Sequence, residues 1–197
     1  MATLEPDLPA VVGRESERAL VDGLVRAGGA RALLLVGSPG IGKTTLWDAG
    51  VAAARAAGLR VLSARPSDAE ASLAFAGLID LFDEVETSEL AELPAPQLQA
   101  LEVPLLRAVP TGAAPEPGAI GVGLLSALRA LAAPSPLVVA IDDLQWLDPP
   151  SAEALSYASR RLEGHDVRFL LAKRPGDPTP SKVRSSRTGS NGSSSDR

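Results

Sequence analysis

The sequence predicts an α/β fold in which a mostly parallel sheet lies between two layers of helices, and three observations carry that expectation. Apolar runs of strand length alternate with helical patterns along the chain, the order expected of strands joined by helical crossovers. One of these runs, Leu137-Val138-Val139-Ala140-Ile141, is apolar at every position, as a strand covered on both faces must be. The 197 residues are 45% hydrophobic but only 3% aromatic. That length suffices for one domain, with a core of Leu, Val, Ile and Ala that suits helices packed on a parallel sheet.

Taken in order, residues 1–11 form a Pro-containing leader. A helix is predicted over 15–27, with Leu20, Leu24 and Val25 on one side and Gly28-Gly29 ending it. The first strand, 32–36, runs into a glycine-rich loop, and an alanine-rich helix from Thr45 to Ala57 leads out, with Gly58 as its stop. A second strand follows at 59–64. Phe75, Leu78, Ile79 and Phe82 form one apolar helical stripe, placed to cover the sheet. Six prolines between Leu93 and Gly118 break the next stretch into short helices and turns. Helix resumes over 119–133, and Pro134 and Pro136 bracket its exit into the third strand, 137–141. Asp148 or Ser151 can cap a further helix, whose first turn suits Pro149-Pro150 and whose pattern continues through Ala154, Leu155, Ala158 and Leu162 to Gly164. The fourth strand is 167–172. From Pro175 the chain turns to Ser, Thr, Gly, Pro and Arg, a composition with nothing to bury. The expected organisation is a leader at 1–11, one core at 12–174 and a disordered tail at 175–197.

Composition narrows the function. Net charge is −5, and the segment after Arg174 holds four basic and two acidic residues, which leaves −7 on the remainder. Such a balance argues against a nucleic-acid footprint on the core. The absence of cysteine excludes disulfides and thiolate metal sites, and one histidine excludes a histidine cluster. The N-terminus lacks the basic start and apolar stretch of a signal peptide, and no run approaches a membrane span, so the expectation is a cytoplasmic protein without a membrane partner.

The most informative stretch is Gly37-Ser38-Pro39-Gly40-Ile41-Gly42-Lys43-Thr44, which fits the phosphate-binding pattern G-x-x-x-x-G-K-[ST], the Walker A loop, at every position. Its glycines let successive N–H groups turn toward phosphate oxygens, and the helix that follows adds roughly half a positive charge at its N-terminus. Lys43 suits the β and γ phosphates as a point charge. The Thr44 hydroxyl suits a Mg²⁺ bridging them, and Thr45 supplies a spare hydroxyl. The second half of such a site is expected at Asp142 and Asp143, which directly follow the third strand, where ligands gather in open α/β sheets. Asp142 would grip the metal, as a Walker B acid does, and Asp143 would orient or deprotonate the attacking water. At the end of the fourth strand, Arg174 can hold two oxygens of a γ-phosphate. Arg160 and Arg161 are read as favourable charge at a helix C-terminus, Trp146 as packing and His165 as a loop or cap residue.

Together, Val12-Gly13-Arg14-Glu15, the phosphate loop, the string Ile141-Asp142-Asp143-Leu144-Gln145-Trp146-Leu147-Asp148, Ser151-Ala152 with Leu155, and Leu170-Leu171-Ala172-Lys173-Arg174-Pro175 resemble a known pattern. It is that of the ATPase domain in the large ATP-binding regulators of the LuxR family, signal-transducing ATPases grouped with Orc1-like AAA domains. The resemblance covers about residues 11–175. It implies a P-loop NTPase fold, a three-layer αβα sandwich with ATP and Mg²⁺ as cofactors. By the same likeness Gly13 and Arg14 lie near the adenine, Lys43 and Thr44 at the phosphates and metal, Asp142 and Asp143 at metal and water, and Arg174 at the γ-phosphate. Members of the family continue into a lid, a helical-repeat sensor and a DNA-binding helix-turn-helix, which this sequence lacks. Their sheet also has a fifth strand beside the phosphate-loop strand. The expectation is therefore a truncated or frame-shifted chain, incomplete at its C-terminal end, with its first strand at an unprotected edge. Two other readings compete with an ATP-binding switch: a non-catalytic nucleotide-binding or interaction fragment, and a small-molecule kinase, which would need an acceptor site and a basic lid. Protein partners or self-association are left unspecified.

Overall fold

The computed structural model describes residues 15–26 and 30–176. Four strands, β1 (Ala32–Val36), β2 (Arg60–Ala64), β3 (Leu137–Ile141) and β4 (Val167–Lys173), form one sheet in the order β1-β4-β3-β2, with every neighbouring pair parallel. Lys173 lies opposite Val36, and Leu171 lies opposite both Leu34 and Ile141. Because all four strands point the same way, the segments leaving them emerge at one edge of the sheet.

Six helices cover the faces: α1 (Glu15–Val25), α2 (Lys43–Ala56), α3 (Ala76–Phe82), α4 (Ala95–Glu102), α5 (Pro117–Leu131) and α6 (Pro149–Ser159). The period-2 alternation of each strand divides the core. Val61, Val138, Ala140, Leu170 and Ala172 pack with Leu24 of α1 and Trp47, Val51 and Ala54 of α2. Leu62, Ala64, Val139, Ile141, Val167 and Leu171 face the other way, into a larger cluster with α3 to α6. This is the αβα sandwich and parallel sheet that the sequence predicts. All of β3 is buried, as expected of its unbroken apolar run. In β1, by contrast, Leu34 and Val36 are 44% and 53% exposed. Among the described residues β1 pairs with β4 alone, so it is an edge strand, as anticipated.

Several boundaries differ from expectation for local reasons. In α1 Val21 and Leu24 are buried and Val25 packs against the Leu24 cluster, whereas Leu20 is 59% exposed; of the predicted stripe only Leu20 faces out, and Val21 takes its place. No basic residue stands in the last turn of α1. Its exposed carbonyls are met instead from the sheet, by the buried Arg168 of β4, whose Nη1 donates to the Leu24 and Arg26 carbonyl oxygens at 2.7 and 3.0 Å. The same guanidinium grips Asp166 through Nε and Nη2 at 2.8 and 2.9 Å and holds its carboxyl below the usual range. Helix α2 starts at Lys43, two residues before the predicted start, and stops before Gly58, whose φ is +78°. Phe75 takes a left-handed backbone (φ 65°) and caps α3 rather than joining it. Helix α6 ends at Ser159; Leu162 is buried from the turn beyond, not from the helix. Between α4 and α5 the proline-rich segment forms turns. No described helix is long and apolar enough to cross a membrane. The expected leader, Gly13 and Arg14, and the tail from 177 onward lie outside the described residues.

Candidate nucleotide site

The glycine-rich loop joins β1 to α2 at the edge where the strands end. Gly40 and Gly42 adopt φ of +75° and +86°, a region in which side-chain-bearing residues are strained. A Cβ at Gly37 would lie 2.8 Å from Ile41 Cγ2, so that exposed side chain would have to swing aside. The Gly37 N–H donates to the Lys173 carbonyl at 3.3 Å, which ties the loop to the end of β4. Gly42 caps α2 without a side-chain bond, and no acidic residue stands in the first turn. The positive end of that helix is therefore not neutralised by its own residues, and its first N–H groups have no intrahelical acceptor.

Lys43, only 9% exposed, folds back so that Nζ donates to the Ser38 carbonyl at 3.0 Å. An ammonium has three donors, so two remain to meet anionic oxygens. Thr44 and Thr45 are exposed beside it.

Asp142 follows β3 directly and its N–H continues the ladder to the Ala64 carbonyl at 3.1 Å. The residue is 4% exposed, and its Oδ1 accepts the Asp143 N–H at 2.9 Å. Asp143 sits in the left-handed region, φ 43° and ψ 48°, and its side chain is 35% exposed. Its Oδ1 accepts the Gln145 Nε2 at 2.7 Å and lies 3.8 Å from Arg174 Nε. Arg174 Cζ in turn stands 5.9 Å from the centre of the Trp146 ring. Since β4 alone separates β1 from β3, the loop and the acids are two strand spacings apart, about 10 Å.

The sequence-predicted residues from Gly37 to Thr45, Asp142, Asp143 and Arg174 thus share one edge. Those set aside stay local. Arg160 donates to Ser156 Oγ at 3.2 Å, Arg161 stacks 3.8 Å from the Tyr157 ring centre, and His165 Nδ1 is 3.2 Å from the Glu163 carbonyl. Sequence reasoning gave Gln145 no role, although it bridges Asp143 and β4. No periodicity marks such a residue, because its partner lies 29 positions later.

A phosphate loop and an acid pair at the same end of a parallel sheet, with one strand between them, form the constellation of an ATPase core. Residues 10–171 match the family described as AAA ATPase domain. The chain belongs to that family. No curated protein and no solved structure matches it. As an AAA ATPase domain the chain is a nucleotide-binding module. Its oxygen donors, the Thr44 hydroxyl and the Asp142 carboxylate, suit Mg²⁺, a hard cation that keeps phosphates and waters in its shell. No group of three or more His, Asp or Glu that could hold a metal by itself occurs among the described residues. A magnesium at this AAA site would therefore share its coordination with the nucleotide.

Proposed function

We propose that this AAA domain binds Mg-ATP at the β1–α2 loop and hydrolyses it slowly, as a switch module of a signal-transducing, LuxR-type transcriptional regulator. The observation that carries the reading is the meeting of the Lys43 loop and the Asp142-Asp143 pair at one edge of the sheet. The loop of residues 37–45, through those of its backbone N–H groups not already bonded within the fold, and the Lys43 ammonium hold the phosphates. Thr44 and Asp142 hold Mg²⁺, which neutralises the charge on the phosphate oxygens when bound. Asp143 orients the attacking water and accepts its proton. Arg174 addresses the γ-phosphate, and Gly13 and Arg14 border the adenine. The regulator context rests on the Asp142-to-Asp148 string, and a cytoplasmic location follows from that context.

Calorimetry with Mg-ATP and Mg-GTP side by side, together with phosphate release, tests this. Binding of ATP in preference to GTP is expected, with turnover well below the ~1–100 s⁻¹ of kinases. Lys43→Ala should bring binding below detection. A wild-type protein without affinity for Mg-ATP overturns the proposal, and fast phosphate transfer to a small acceptor would replace the switch with a kinase.

A further inference from the structure

Gln145 lies in the 3-10 turn Leu144–Trp146 after the acid pair. Its amide makes two contacts of opposite kind. Nε2 donates to Asp143 Oδ1 at 2.7 Å, and Oε1 accepts the Arg174 backbone N–H at 3.2 Å. The orientation of the amide is fixed by chemistry, because a carboxylate can only accept and a backbone N–H can only donate. Turning the amide over would set oxygen against oxygen and N–H against N–H.

These contacts complete a hydrogen-bonded route across the edge. Gly37 N–H binds the Lys173 carbonyl, the next N–H along binds Gln145, and Gln145 binds Asp143. The acid is thereby referred to the phosphate loop through the end of β4. The Asp143 main chain is held locally, its N–H by Asp142 Oδ1 and its carbonyl by the Trp146 N–H, each at 2.9 Å, but these contacts do not fix its carboxylate. Gln145 and Arg174 both address Oδ1, while Oδ2 has no partner among the described residues.

We propose that Gln145 is a positioning residue, which pins one oxygen of Asp143 to the end of β4 so that the other is aimed at the water beside the nucleotide. The proposal rests on the nucleotide reading above. Among the described residues Gln145 makes no hydrogen bond to the loop at 37–45. Its loss should leave binding intact and lower the chemical step, where a small misplacement costs about 100-fold.

Two variants and two measurements test it. Gln145→Leu keeps the bulk and removes both contacts, whereas Gln145→Glu keeps an acceptor for the Arg174 N–H but sets an anion against Asp143. Both should bind Mg-ATP within about 3-fold of wild type and hydrolyse it about 10- to 100-fold more slowly. Amide hydrogen exchange on the nucleotide-free protein supplies the second readout. Protection of the Arg174 N–H should fall in Gln145→Leu and persist in Gln145→Glu, with β3 unchanged in both. If wild type hydrolyses ATP and both variants match it, the positioning role is wrong while the ATPase reading stands. If wild type shows no ATP affinity, the ATPase reading fails, and unchanged exchange at Arg174 in Gln145→Leu would remove the latch as well. Weaker ATP binding in step with slower turnover would also overturn the proposal, since it indicates general damage to the edge.

Discussion

At the scale of single residues, Asp148 shows how a short string in the sequence carries more than one task. It was legible as a helix cap, and it does accept the Ser151 N–H at 2.9 Å at the start of α6. It also accepts the N–H groups of Phe75 and Gly77 at 2.8 and 2.9 Å, so one carboxylate fastens the first turn of α3 to the first turn of α6. The residue is 2% exposed, and no cation pairs with it among the described residues. Three N–H donors and the positive end of α6 take the place of water around the charge. The two contacts to α3 were not readable beforehand, because those partners lie more than seventy positions away. Asp148→Ala strands three backbone donors in a dry region and should cost about 3 kcal/mol of stability. Urea unfolding measures this through the midpoint, and a loss under about 1 kcal/mol would mean that water replaces the carboxylate.

At the scale of elements, legibility followed the strength of the pattern. The unbroken apolar run of β3 and the loop flanked by β1 and α2 specify themselves, since few other structures accommodate them. The side of α1 that faces inward was harder. Leu20 and Val21 are both apolar, and only the fit against α2 and β4 decides between them. The contact between α4 and α5 was invisible because it depends on a missing side chain. At Gly123 in α5 a Cβ would lie 2.6 Å from the Gln97 backbone oxygen and 3.3 Å from Leu101 Cβ, so the two helices approach through that gap. Two effects oppose each other in Gly123→Ala. Helix propensity favours alanine by about 1 kcal/mol. Overpacking against a backbone atom, which cannot swing aside as a side chain can, costs about 1–3 kcal/mol. The second should win, so that the substitution destabilises by about 1 kcal/mol, and a raised melting temperature would show that α4 shifts freely.

At the scale of the whole molecule, the site is assembled from both ends of the described chain: the loop at 37–45 follows β1, and Arg174 follows β4. Parallel topology brings them together, and this much could be inferred from the alternation of strands and helices. The connection through Gln145 could not, since it depends on where the end of β4 comes to rest. A ligand at this edge would contact segments anchored in both core clusters, so its binding free energy should appear as stability of the entire fold. At a free concentration one hundred times the dissociation constant, a non-hydrolysable Mg-ATP analogue bound only to the folded state adds about 2.7 kcal/mol. At about 2–4 °C per kcal/mol for a domain of this size, the unfolding midpoint should rise by about 5–10 °C. The two tryptophans report from different places. Trp47 is buried on the sheet-facing side of α2, with Nε1 donating to the Leu170 carbonyl at 3.3 Å, and Trp146 is half-buried beside Arg174. Their fluorescence and the far-UV circular dichroism should move to the same higher midpoint with ligand, and none should move in Lys43→Ala. A shift confined to Trp146 emission would mean that the nucleotide orders only the edge of the sheet, and a shift that survives Lys43→Ala would place the ligand elsewhere.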